Sequence, residues 1–438
     1  MPLSEGEKEL KRLKRRFYRQ RSKDESGNRL KLRFVDVTTL ARSKLRSDTD
    51  HIVHDRGKDL CFQQRVLTQL QNRLHPSQSQ NTWGFQTASV IKELLDIARP
   101  PATNLDPYVS NSEVEALFLR TKEARTLLAS GAAINVPIFA QNQQEHTWSA
   151  SRRPISQLLD YYSNLEETVD VNDSSLPYSQ KSFTSATIAD VKARFAENRA
   201  RDNAWNVLDL DCPLPETYGI CPKFLQTRDC DLLSQIKGEA IRRGSARRAV
   251  VNATCLKEWR DVERWILLAE PGAHTAPHQD SNGYGTFITV SEGEIGFGWL
   301  SRPTDQDLQD WSKDLSRFRG GSWRYVVLRP RQTVYFEPGT VHWVFRMTGD
   351  GRQTMAIGGH VLRSSFIAKW ARVVAMQLER PNVTNEKITK TAASYLLAVA
   401  GLVKEAENVG ALETFGGEEN VARFRQEAEV VSILRSIP

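Results

Sequence analysis

The spacing of apolar positions changes character along the chain. Up to about residue 130 it is helical, and it predicts helices over 60–74, 88–99 and 112–128. Ser112 with Glu115 three residues on reads as a capping box opening the last of these, and Pro100-Pro101 separates it from the helix before. From about residue 134 the elements shorten. An apolar run at 134–139 carries Pro137, a helix is expected over 154–166, a strand over 168–171 and a helix over 187–199, followed by the run Trp205-Asn206-Val207-Leu208-Asp209-Leu210. Strand-like runs then dominate, at 264–269, 285–290, 296–300, 325–328, 333–336, 341–346 and 355–357. Gly, Pro and Asp punctuate them closely, which points to a sandwich or barrel. Helical spacing returns at 366–378, 388–406 and 420–437. The pattern divides the chain into an arm at 1–35, a helical region at 36–130, a mainly β core at 131–370 and a helical C-terminal region at 371–438.

Composition narrows the class. With 438 residues, 39% hydrophobic and 26% charged, the chain can bury a large core and is not disordered, collagen-like or coiled-coil. Five Cys without a CxxC pair exclude zinc-finger spacing; Cys212, Cys221 and Cys230 stand nine apart. Such thiols suit a reducing compartment, nucleus or cytoplasm. The longest apolar run, 392–403 with Ser394 inside it, is shorter than the ~20 residues a membrane span needs. The charged N-terminus lacks the apolar stretch of a secretory signal, so none is expected.

The net charge of +7 is concentrated at one end. Residues 1–35 hold 12 Lys/Arg against 5 Asp/Glu, a balance of +7, and the remaining chain holds 48 of each sign. Leu10, Leu13 and Phe17 lie at helical spacing inside this cluster. Lys11-Arg12-Leu13-Lys14-Arg15-Arg16 reads either as an importin- or nucleic-acid-contacting stretch or as a solvated basic helix. No nucleic-acid fold motif accompanies it.

Candidate chemistry lies in the β region. Of eight His (51, 54, 75, 146, 274, 278, 342 and 360), four fall there. His278-Gln279-Asp280 puts an imidazole and a carboxylate two residues apart, on one face of an extended chain. His342, just past the turn Glu337-Pro338-Gly339, is the candidate third ligand from another strand. Two His and one carboxylate leave half an octahedron open, which suits Fe(II) oxygenases, with zinc as the alternative. His274 and His360 read as alternative ligands or cavity-lining groups, and His51 with His54 as structural.

Four stretches of residues 134–370 resemble the JmjC (jumonji-C) domain of the Fe(II)/2-oxoglutarate oxygenases. The segment PISQLLDYYSNLEETVDVND followed by WNVLDL is similar to the N-terminal half of that family. GAHTAPHQDSNGYGTFITVSEG fits its T-x-x-H-x-D pattern. VLRPRQTVYFEPGTVHWVF resembles its strand, Pro-Gly turn and strand. IGGHVLRSSF is similar to the Gly-Gly-Asn segment of jumonji lysine demethylases. The resemblance implies a double-stranded β-helix (a jelly roll, related to cupins), a metal triad of His278, Asp280 and His342, and Fe(II) with 2-oxoglutarate as cofactor and cosubstrate. Two departures stand out. Ile295 occupies the place of the Lys that pairs with the distal carboxylate of 2-oxoglutarate, and His360 stands for the Asn. Arg352, with Thr354 two residues on, is similar in placement to the cosubstrate Arg of other branches of the superfamily, and Thr275 is the candidate hydroxyl partner.

The activity implied is a dioxygenase, an oxidoreductase that couples decarboxylation of 2-oxoglutarate to succinate with oxidation of a protein side chain. A methyl-lysine would be demethylated with release of formaldehyde; an unmodified side chain would be hydroxylated. Histones in nuclear chromatin are the candidate substrate by resemblance, although no reader domain is visible. The alternatives are a noncatalytic chromatin- or partner-binding module and a cupin-like metal enzyme that does not use 2-oxoglutarate. Trp265, Phe297, Trp299, Tyr335 and Phe345 are expected in the β core, with a water-excluding role as the sharper reading.

Overall fold

The computed structural model describes residues 54–436 apart from 75–79, 107–108, 111, 216–217, 247–262, 350 and 385–390. The basic arm, His51 and His75 lie outside the described residues. Two helices lead: α1 (Arg56–Arg73), capped by the Asp55 side chain, and α2 (Trp83–Ile97), capped by Thr82. The helix expected over 112–128 does not form at its N-terminal end. A short strand β1 (Leu117–Phe118) stands there, and α3 (Thr121–Ala129) starts later. The Glu115 carboxylate is drawn off by Arg324 Nε at 2.6 Å and the Ala102 N–H at 3.1 Å. Glu123, which accepts from the Arg120 N–H at 2.9 Å, makes the box instead.

The middle of the chain contributes β2 (Ile138–Gln141), α4 (Pro154–Leu159), β3 (Thr168–Asp173), β4 (Phe183–Thr187), α5 (Ile188–Ala196) and β5 (Trp205–Asp211). Helix α4 is shorter than the spacing predicts. The chain beyond it is held extended beside α5, where Ile188 and Ala189 N–H groups bond the carbonyls of Glu167 and Leu165 at 2.9 Å each. Helix α6 (Leu232–Ala246) precedes the β core, which comprises β6 (Trp265–Ala269), β7 (Thr275–His278), β8 (Gly285–Glu292), β9 (Ile295–Ser301), helix α7 (Asp305–Lys313), β10 (Ser322–Leu328), β11 (Gln332–Phe336), β12 (His342–Phe345) and β13 (Thr354–Val361). The C-terminal region is α8 (Ile367–Glu379), α9 (Thr391–Asn408) and α10 (Glu418–Ser436). None of the described helices is long and apolar enough to cross a membrane.

The strands form two sheets. One has nine strands in the order β1-β2-β11-β8-β13-β6-β5-β3-β4, the other four in the order β10-β9-β12-β7. All pairings are antiparallel except β1 with β2. A buried cluster between the sheets draws Ile288, Val334 and Ala356 from the larger and Phe297, Trp299 and Val344 from the smaller. The four-stranded sheet and the central strands of the larger one are covered on both faces and read as apolar runs, whereas β3 and β4 at the edge keep exposed positions. The outer face of the four-stranded sheet packs on α1 and α2, through Phe62, Val66, Ile91 and Leu94 against Trp343 and Phe345. Gly296 and Gly298 alternate with large residues in β9 because Phe345 and Trp343 lie across from them; a Cβ at either position would overlap an aromatic ring. Helices α8, α9 and α10 form a separate apolar cluster with α6 at the end of the sheets where the candidate ligands sit.

Candidate metal centre

Strands β7 and β12 are direct neighbours, with His278 and His342 opposite each other in register. Their ring centroids are 4.3 Å apart. Asp280 follows the end of β7 and opens a tight turn in which Asn282 takes a left-handed conformation at φ 58°. The turn swings the carboxylate back beside the imidazoles. Asp280 Oδ1 lies 3.8 Å from His278 Nε2 and 3.5 Å from His342 Nε2, and one ligand atom from each residue falls within 4.8 Å of the other two.

The imidazoles are set for ligation. His278 Nδ1 lies 2.9 Å from the Ala276 carbonyl and His342 Nδ1 lies 3.1 Å from the Thr340 carbonyl. A carbonyl accepts only, so Nδ1 carries a proton in each ring and Nε2 is the nitrogen turned toward Asp280 and left to ligate. The His342 ring packs beside Phe336 and Phe297, with centroids 4.5 and 5.8 Å away. Burial acts to raise the Asp280 carboxyl, but His342, His360, His278 and the Thr286 hydroxyl together hold it below its ordinary value. Two imidazoles with their Nε2 atoms turned to one carboxylate form a donor set that, with those nitrogens deprotonated, fits a divalent first-row ion with bonds of ~2.0–2.2 Å.

Further residues orient this set. The Thr286 hydroxyl donates to Asp280 Oδ2 and lies 3.0 Å from His360 Nδ1. Gln377, fully buried on α8, donates to the Asp280 carbonyl at 2.8 Å and accepts from the Gly283 N–H at 3.0 Å. Trp370, two turns earlier on the same helix face, donates to the Asn282 carbonyl at 3.0 Å. Thr286 and Gln377 were not singled out from sequence. The available signal for Gln377 was a polar residue seven after Trp370, on an otherwise apolar helix stripe.

The remaining predicted residues divide. His278, Asp280, His342, Thr275 and His360 all line one cavity of about 50 Å³, with Val344 on its wall. That volume holds a few waters, each needing ~10–15 Å³ on this measure. Thr275 accepts a hydrogen bond from Asn206 Nδ2 at 3.2 Å. Arg352 is exposed and does not line the cavity. His274, just before β7, is part-buried and is not among the clustered donors, while His54 stacks on Phe118 at 4.6 Å. Ile295 is buried in the apolar layer between the sheets. Trp265, Phe297 and Trp299 belong to that same layer, whereas Tyr335 and Phe345 lie on outer faces under helices.

No protein-family profile matches the chain, and no characterised protein matches it.

Proposed function

We propose that the chain is an Fe(II)-dependent oxygenase of JmjC type that uses a 2-oxo acid cosubstrate and oxidises a protein side chain. The observation that carries this reading is the buried His278-Asp280-His342 cluster, three metal-capable donors on adjoining strands at the wall of a cavity. The strand order supports it. The chain places β6, β8, β11 and β13 in one sheet and β7, β9, β10 and β12 in the other, four against four, as a double-stranded β-helix requires.

Bound iron would supply the oxygen-activating chemistry. The chain's own residues do the rest. His278, Asp280 and His342 hold the ion, Thr286 and His360 fix the carboxylate, and Trp265, Ile288 and Val344 supply the apolar part of the cavity wall. The choice of a protein side chain, with a histone methyl-lysine as one candidate and a hydroxylated residue as the other, rests on the motif resemblance, as does a nuclear location.

One observation favours a second reading, a metal enzyme that does not use 2-oxoglutarate. Ile295, at the place of the cosubstrate Lys, is 3% exposed and surrounded by apolar side chains. Anaerobic titration separates the readings. Fe(II) followed by 2-oxoglutarate should give a weak visible charge-transfer band. Iron uptake without 2-oxoglutarate binding favours the second reading, and absence of metal uptake overturns both. Succinate release with methylated and unmodified peptides then assigns the substrate, formaldehyde marking demethylation and a mass gain of one oxygen marking hydroxylation.

A further inference from the structure

Beside the turn that carries the metal donors lies a second, larger cleft of about 780 Å³. Its walls are the segment 134–137 before β2, the end of β9 running into α7, the turn 337–340 and one side of α8. It shares no lining residue with the metal cavity. It nevertheless touches the same backbone. Gln279, on its wall, stands between His278 and Asp280, and the carbonyl of Thr340, also on its wall, lies 3.1 Å from His342 Nδ1. Lys369, Arg372, Val373, Met376 and Arg380 recur at helical spacing, so one face of α8 and the residue after it give the cleft both apolar surface and positive charge.

The charges of the cleft do not balance. Arg302, Lys369, Arg372 and Arg380 line it against only Asp305 and Glu337, and both carboxylates are engaged. Glu337 accepts from Arg363 at 2.7 Å and from the Tyr335 hydroxyl at 3.2 Å. Asp305 lies 3.6 Å from Arg372 at the open rim. Arg380 donates to the Ser312 hydroxyl at 2.8 Å, a neutral partner. Among the described residues, neither Lys369 nor Arg380 has a carboxylate within ion-pairing distance. Lys369 is half-buried; burial lowers its pKa from the ordinary value, and the attraction of Glu337 offsets only part of that. A cation drawn out of water without a direct counter-ion is costly, and an anion entering the cleft would relieve the cost. A nucleic-acid strand suits the walls poorly. It needs open aromatic faces for its bases, and Trp299 and Trp311 are each 1% exposed.

We infer that this cleft docks an acidic polypeptide segment, with Lys369, Arg372 and Arg380 meeting its carboxylates while Val373 and Met376 meet its apolar side chains. The inference rests on the oxygenase reading only in taking the docked protein to be the one that is oxidised. It turns the substrate class away from a basic histone tail, whose lysines would meet like charge on this face, and toward a protein with Asp or Glu near the target residue. The two arginines offer a carboxylate paired, charge-assisted bonds, and the ammonium of Lys369 adds a point charge farther in.

The test uses three pools of short fluorescent peptides, identical in their Ala, Leu, Ser and Val positions and carrying Glu, Gln or Lys at the others. Binding to the full chain without added metal is followed by anisotropy, so the result does not depend on the oxygenase chemistry. The Glu pool should bind about tenfold or more tighter than the Gln pool, with the Lys pool weakest, and the preference should shrink as salt rises from about 50 mM to about 0.5 M. Lys369→Gln should weaken the Glu pool about tenfold and Arg372→Gln about threefold, with the Gln pool unaffected. Arg372 is 67% exposed, so its variant keeps the test decisive if Lys369→Gln fails to fold. Carbodiimide, which joins a carboxylate to an amine in contact with it, should link Glu-pool peptides to Lys369. Equal binding of the Glu and Gln pools overturns the inference without any variant. So does a Glu preference that both variants keep, which would place the binding on the basic arm, and so does displacement of the Glu pool by an equal concentration of single-stranded oligonucleotide. Failure of the oxygenase reading would show instead as absent metal uptake beside an intact Glu preference.

Discussion

His360 Nδ1 lies 3.0 Å from the Thr286 hydroxyl, and that hydroxyl gives its proton to Asp280. One hydroxyl proton cannot serve both neighbours, so the bond from His360 runs imidazole N–H to Thr286 oxygen, and the relay ends on the metal-facing carboxylate. Thr286→Val removes the relay while keeping the shape. It should weaken metal binding by ~10–100-fold, the usual cost of losing such an outer partner, and Thr286→Ser should restore most of it. Co(II) titration of the two variants measures this, and unchanged affinity in Thr286→Val would remove the relay from the site's function.

Gln377 makes the equivalent hold on the backbone. Its amide joins the Asp280 carbonyl and the Gly283 N–H, closing the turn that aims the carboxylate. Gln377→Leu strands both groups in a buried place and should cost ~1–3 kcal/mol in stability as well as metal affinity. Denaturant unfolding and metal titration on one preparation report the two effects; a stability loss with normal metal affinity would show that the turn keeps its shape unaided.

His274 sets an acid limit. Burial and the guanidiniums of Arg73 and Arg346 push its folded-state value well below the ordinary one. The unfolded chain therefore takes up a proton first as pH falls through ~6.5, and the stability present above that value is lost below it at up to ~1.4 kcal/mol per pH unit. Burial of His146 acts in the same direction. His274→Asn keeps an acceptor for the Arg346 backbone N–H and should flatten the loss between about pH 6.5 and 5. Chemical denaturation at a series of pH values checks it, with parallel curves for variant and wild type as the contrary result.

Arg363 is the principal buried ion pair near the metal turn. It reaches Asp229 and Glu337 at 2.7 Å each and the carbonyls of Ala132 and Leu128 at 3.2 Å each, tying the turn before His342 to the end of α3. Arg363→Met leaves the buried Glu337 and the part-buried Asp229 without their shared cation and should cost ~3–5 kcal/mol. Adding Glu337→Gln should recover part of the loss. A double variant no better than the single one would locate the damage in the two carbonyls instead.

Much of the core was legible because its strands bury both faces, so each appears as a short apolar run between Gly, Pro and Asp. The runs at 285–290, 296–300 and 333–336 lie inside β8, β9 and β11. Strand β7 was not legible as a strand; Thr275-Ala276-Pro277-His278 lacks β-branched apolar residues and is set by its pairing with β12. Helix α7 was also missed, because its sequence DQDLQDWSK is polar on all but one face. At the site, the ligand triplet could be read from residue type and spacing. Thr286 and Gln377 could not, since a Thr in a strand and a Gln in a helix declare their partners only once distant segments close over them.

Strand β7 is four residues long and forms the rim of its sheet, joined to β12 through the pairs His342–His278 and Val344–Thr275 with an irregularity between. An ion held by His278 and His342 would fasten this rim more firmly than its own ladder does. Chelation would therefore act first as local fraying. Segment 272–285 would become cleavable while the centre of the sandwich still resists denaturant, and the bared side of β12 would offer itself as a template for pairing with another copy of the chain. Loss of the ion would then lower the amount of folded protein through self-association.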